Sequence, residues 1–224
     1  PIGSHFSPAD PAYVDLTGLY PYDPALARRL LAEAGFPNGF KTTLKLPPTF
    51  YARRGGEIVA AQLRAVGVEA RIENIEWAQW LDQVFGHKDF DLTVVSHTEP
   101  RDYTIYGRDD YYFGYRSAAL DGLLARLDAA VDPAERRALM GQVQRRIAED
   151  AVNGFLFEFP KLNVWDAKLR GMWVDSPVQA NEVGEAFFDE PGAAGAGARS
   201  TTGMTGPSVP SRWFDGPMTT LITP

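Results

Sequence analysis

The chain has 224 residues, enough for one large domain or two small ones, with 45% hydrophobic residues and a net charge of −7. That acidity argues against a nucleic-acid surface, which needs clustered Lys and Arg, and no apolar run reaches the length of a membrane span. The absence of cysteine removes disulfides, thiol catalysis and Cys-based zinc sites, and leaves both the cytosol and a bacterial periplasm open.

Residues 1–22 are rich in Pro, Tyr and Gly and read as an extended lead-in. Asp23-Pro24 starts a helix, with Asp as N-cap and Pro at the first helical position. Leu26, Leu30 and Leu31 with Ala27 and Ala34 form its apolar stripe, and Gly35 ends it. Asn38-Gly39 turns the chain into a strand over 40–46, where Phe40, Thr42, Leu44 and Leu46 share one face. A second helix is expected over 53–66, with Ile58, Val59, Gln62, Leu63 and Val66 inward and Gly67 as its stop. Residues 68–75 alternate strictly, Val68, Ala70 and Ile72 on one side and Glu69, Arg71 and Glu73 on the other, the pattern of a half-buried strand. A third helix over 77–85 groups Trp77, Trp80, Leu81, Val84 and Phe85, and a short strand follows at 90–95.

Strands alternating with amphipathic helices imply parallel pairing, so the expected fold class is α/β, an open and mostly parallel sheet flanked by helices. In such sheets ligands sit in the crevice beyond the carboxyl ends of the strands. The stretch "SHTEPRDYTIYGRDDYY" begins at that point, and its hydroxyl, imidazole, carboxylate, guanidinium and phenol groups follow no helical or strand period. Two packing helices come next. One is capped by Ser117 and carries Leu120, Leu123, Leu124 and Leu127. The other starts at Asp132-Pro133 and carries Leu139, Val143 and Ile147. "VNGFLFEFPKLNVWD" reads as strand or extended chain. From Pro191 the composition shifts to Gly, Ala, Ser and Thr with no apolar period, so residues 191–224 are expected to be disordered.

No GxGxxG after a strand, phosphate loop, GxSxG or HExxH occurs. His97, Glu99 and Asp102 could face one pocket, but metal sites of this kind use more than one His, so hydrogen bonding is expected there and no metal or cofactor. Glu99 with Asp102 also suits glycoside hydrolysis as a carboxylate pair, and a hydrolase using them stands as the alternative. Some of the rings Tyr103, Tyr106, Tyr111, Tyr112, Phe113 and Tyr115 must seal the loop onto the sheet. Trp77 and Trp80 are core by default. "FYARRGG" opens a helix whose N-terminus favours anions, which adds Tyr51 to the candidates.

"YPYDPALARRLLAEAGFPNGF" resembles the YDP-x-x-A-x-x-LL-x-x-AG pattern that opens the C-terminal lobe of periplasmic solute-binding proteins of ABC importers, in the peptide/nickel/opine group. "AAQLRAVGVEARIENIEWAQWLDQVF" and "DPAERRALMGQVQRRIAEDA" are similar to later blocks of the same family, so the likeness covers roughly residues 1–188. The resemblance implies a periplasmic-binding-protein-like, type II clamshell whose C-terminal lobe is this chain. It implies a periplasmic monomer that takes a small-molecule or peptide solute to an ABC permease/ATPase complex, without inserting in the membrane. The N-terminal lobe and export signal would precede Pro1. The expected organisation is a lead-in or hinge over 1–22, the α/β lobe over 23–151, a return segment toward the first lobe over 152–190, and the tail over 191–224. A truncated product that binds nothing is a further alternative. In the resembling peptide binders a loop carboxylate pairs with the ligand amine, a role open here to Glu99 or Asp102. The candidate ligand-binding set is Tyr51, Ser96, His97, Thr98, Glu99, Asp102, Tyr103 and Tyr106.

Overall fold

A computed structural model describes residues 1–8, 10–97, 102–158, 164–173 and 183–189, and the backbone of 218–222. The first half alternates as the pattern demands: α1 (Pro24–Glu33), β1 (Phe40–Leu46), α2 (Phe50–Ala65), β2 (Val68–Asn74), α3 (Trp77–Gln79) running on as a π-helix (Trp80–Gly86), and β3 (Leu92–His97). A 3-10 turn (Tyr103–Gly107), α4 (Ala118–Ala129), α5 (Pro133–Glu149) and β4 (Asn153–Glu158) follow, then a small ribbon of β5 (Leu169–Arg170) with β6 (Phe187–Phe188), and β7 (Met218–Ile222).

β1 pairs in parallel with both β2 and β3, from Phe40 opposite Val68 to Leu46 opposite Asn74 and with Leu44 opposite Leu92. The sheet order is β2-β1-β3-β7-β4. β7 is antiparallel to each of its neighbours, so β4 runs in the same direction as β1, β2 and β3. Four of the five strands therefore run the same way, with two parallel and two antiparallel pairings.

The caps set the helices. Asp23 accepts from the amides of Ala25 and Leu26 at 3.0 and 2.9 Å, and Asp132 from Ala134 and Glu135 at 3.0 and 2.8 Å. Ser117 accepts from Leu120 N–H at 3.3 Å. Each satisfies amides that a helix start leaves without intrahelical partners.

Two apolar clusters cover the two faces of the sheet. Leu44, Leu46, Ala70 and Val94 pack against Ala52, Val59 and Ala60 of α2. On the other side Trp80, Val84, Phe90 and Val95 join Tyr106, Tyr112, Phe113, Leu120, Leu139, Val143 and Ile147. Polar side chains tie these layers together. Trp80 Nε1–H donates to Thr93 Oγ1 at 3.0 Å, and that hydroxyl donates to Lys45 C=O at 2.8 Å. Asp91 accepts from Thr43 N–H and the hydroxyls of Thr42 and Thr43, which holds its carboxyl below the usual range.

Several expectations differ from what is observed. The inward face of α2 is built from Ala52, Gly55, Gly56, Val59 and Ala60, and Ile58 points outward at 61% exposure. A Cβ on Gly56 would lie 2.4 Å from Leu46 Cδ1, so small residues let the helix settle onto the sheet and turn Ile58 away. The third helix opens into the wider π turn, so only Trp80 and Val84 are buried, while Trp77, Leu81 and Phe85 are partly exposed. α1 has no buried residue, although its stripe half-covers Leu26, Ala27 and Leu31.

The lead-in over 1–22 packs against the rest of the chain. Ile2, Ser4, His5 and Phe6 are all at or below 3% exposure. Gln144, fully buried in α5, accepts from Ser4 Oγ and Val14 N–H and donates to Ala12 C=O, which locks this segment onto the lobe. Most of 191–224 lies outside the described residues. Within it, the backbone of Met218–Ile222 is a strand between β3 and β4, where its amides and carbonyls complete two ladders. β4, from the segment read as a return toward another lobe, belongs to this same sheet.

Candidate functional site

β3 ends at Ser96 and His97, and Asp102 leads into the 3-10 turn. Here the structure brings together residues that are far apart in sequence. Asp102 Oδ2 faces His97 Nδ1 at 3.2 Å, and Asp102 Oδ1 makes a short contact with His5 Nε2. His5 Nδ1 lies 3.1 Å from the hydroxyl of Tyr106, which accepts from Asn153 Nδ2 at 2.7 Å. The result is one connected run, Asn153–Tyr106–His5–Asp102–His97, from the start of β4 to the end of β3.

The proton positions follow from the donor inventory. Asp102 is an acceptor only, so His5 Nε2 carries a proton, and in the neutral ring Nδ1 accepts from the Tyr106 hydroxyl. His5 is then the neutral tautomer with its proton on Nε2, donated to Asp102. Burial is the main force that lowers the His5 pKa and keeps the ring neutral, although Asp102 pulls the other way. Desolvation acts to raise Asp102, but hydrogen bonds from His5 and His97 outweigh it and hold the carboxyl well below the ordinary carboxylate range. Burial pushes the Tyr106 phenol up, so it remains a neutral donor.

Of the sequence-predicted residues, Ser96, His97, Asp102, Tyr103, Tyr106 and Tyr51 gather around the end of β3, and Thr98 and Glu99 lie outside the described residues. Tyr51, in the first turn of α2, accepts from Ser96 N–H at 3.2 Å. Tyr103 is half-buried, with its ring 5.7 Å from that of Phe6. Tyr106 is 1% exposed, with its hydroxyl against His5 and Asn153. Asp102 has both oxygens committed to histidines. The other rings of the loop, Tyr111, Tyr112, Phe113 and Tyr115, belong to the core or pack against it.

Sequence reading missed His5 and Asn153. Neither carried a local signal, since His5 sits in an aperiodic Pro- and Gly-containing stretch and Asn153 opens a strand. Among the described residues no group of three or more His, Asp and Glu side chains is arranged to hold a metal ion, and no helix is long and apolar enough to cross a membrane.

Residues 1–116 match the family described as bacterial extracellular solute-binding proteins, family 5, middle region. The glutathione-binding protein GsiB of Salmonella typhimurium is 40% identical over 80 residues, which are 35% of this chain and 16% of that protein. A dipeptide-binding protein from Pseudoalteromonas sp. SM9913, solved with Met-Leu, superimposes with a TM-score of 0.66 at 20% identity, covering 84% of this chain and 40% of that one. The periplasmic binding protein DppA of Helicobacter pylori, solved with the peptide STSA, gives 0.56 at 25% identity, covering 66% and 32%. The chain thus matches a sixth of that curated relative's length, and well under half of the solved chains. With a family match over more than half of its residues and the same fold in these binding proteins, the chain belongs to the family 5 bacterial extracellular solute-binding proteins.

Proposed function

We propose that this chain is one lobe of an extracytoplasmic, monomeric solute-binding protein that grips short peptides and presents them to an ABC permease. The observation that carries this reading is the polar cluster of Ser96, His97 and Asp102 at the carboxyl end of β3, the position where open α/β sheets bind ligands. The related proteins solved with Met-Leu and with STSA hold peptides, and support the choice of solute. The part played by Thr98 and Glu99 belongs to the same proposal. A general-acid role for Asp102 is disfavoured, because its lowered pKa leaves no proton to give.

Calorimetry with Met-Leu, run beside an assay for peptide cleavage, tests the reading. Binding without turnover supports it. Sustained cleavage of the peptide, or of chromogenic glycosides, would replace it with an enzyme.

A further inference from the structure

Among the described residues, one side-chain nitrogen of the cluster has no partner. His97 is 9% exposed, its Nδ1 faces Asp102, and its Nε2 is buried without a hydrogen bond to any of those residues. A buried polar atom left unpaired is costly, so it calls for a functional account. Asp102 is a pure acceptor, so His97 Nδ1 carries a proton, and in the neutral ring Nε2 is a bare lone pair. Both rings therefore present a proton to Asp102, His5 from Nε2 and His97 from Nδ1.

We infer that the Asn153–Tyr106–His5–Asp102 run positions His97 so that its Nε2 accepts a hydrogen bond from an N–H of the bound solute. This rests on the solute-binding reading above and changes its chemistry. The resemblance gives the amine-facing role to a loop carboxylate, Glu99 or Asp102, and each Asp102 oxygen already accepts from a histidine. A neutral imidazole acceptor needs a donor but not a positive charge, so both an ammonium and a peptide amide N–H fit. A carboxylate of the solute, offering only lone pairs, is repelled. Asp102 and His5 act through His97 as positioning residues.

The test uses histidine ring nitrogen NMR, which reads tautomers directly, and only His5, His87 and His97 need assignment. In the chain without peptide, the expected pattern at neutral pH is a proton on Nε2 of His5 and on Nδ1 of His97. Asp102→Asn offers one acceptor oxygen to two ring donors, so one of the rings must switch tautomer. A proton on His97 Nε2 in the native chain, or unchanged tautomers in Asp102→Asn, overturns the inference. With Met-Leu added at millimolar concentration, the His97 Nε2 signal should move while that of His87 stays. His97→Phe should then weaken binding about tenfold, the loss of one hydrogen bond of about 1.4 kcal/mol. Peptide bound by calorimetry with Nε2 unmoved overturns the inference and leaves the solute-binding proposal standing. No peptide binding at all counts against that proposal and removes the acceptor role with it, while the ligand-free tautomers are judged separately.

Discussion

Replacing Asp102 by alanine removes the acceptor shared by His5 and His97. His5 is 1% exposed and His97 9%, so neither ring donor gains water as a substitute. Each orphaned buried donor costs about 1–3 kcal/mol. Relief of the carboxylate's own desolvation offsets part of this, and the net loss should be about 3 kcal/mol. For a domain of this size about 1 kcal/mol shifts Tm by about 2–4 °C, so Asp102→Ala should melt about 6–12 °C lower. Urea unfolding gives the free energy and calorimetry the Tm. Asp102→Asn, which keeps one acceptor, should fall between the two. An alanine variant within about 0.5 kcal/mol of the native chain would refute the claim that this carboxylate is the hub of a buried network.

Acidification should destabilise the fold in two stages. His5 is depressed below its ordinary 6.5, so the unfolded chain binds more protons as pH falls past that value and stability drops with it. Asp102 is depressed below 3.8, so its contribution is complete above that pH and is lost only below it. Urea midpoints measured from pH 7.5 to 3 should show the first decline, and His5→Gln should remove it. Gly39→Ala should be severe, since φ is +70° and a Cβ would sit 1.9 Å from Gly67 C=O; its soluble yield and Tm should both fall. Thr220→Pro should lower Tm by several degrees, because β7 bonds to strands on both sides and proline cannot donate; an unchanged Tm would remove β7 from the sheet. The isolated chain should hold Met-Leu only in the millimolar range, since one lobe leaves charged contacts near water, where each pair contributes about 1 kcal/mol or less.

Punctuation and strand alternation were legible in the sequence. Asp23-Pro24, Ser117 and Asp132-Pro133 announced three helix starts that their cap hydrogen bonds bear out. The alternation of 68–74 gave the face of β2, and the βα order gave the parallel pairing of β1 with β2 and β3. Periodicity misled where small residues did the packing, as at Gly55 and Gly56, and where the helical period widened, as at Trp80–Gly86. The site was legible only in place. That a polar loop follows β3 could be read from the chain, but its wiring depends on His5 and Asn153, which lie 97 residues before and 47 residues after their partners Asp102 and Tyr106. Such contacts are set by how the N-terminal segment docks on α5 through Gln144, and local pattern carries no record of it.

Amide chemical-shift mapping with Met-Leu addresses the central claim most directly. The account predicts saturable shifts concentrated at Tyr51, Ser96, His97, Asp102 and Tyr103, around the carboxyl end of β3, with a millimolar Kd and the peptide recovered intact. Shifts clustered elsewhere on the lobe with those residues unmoved, or a peptide that is cleaved, would contradict it.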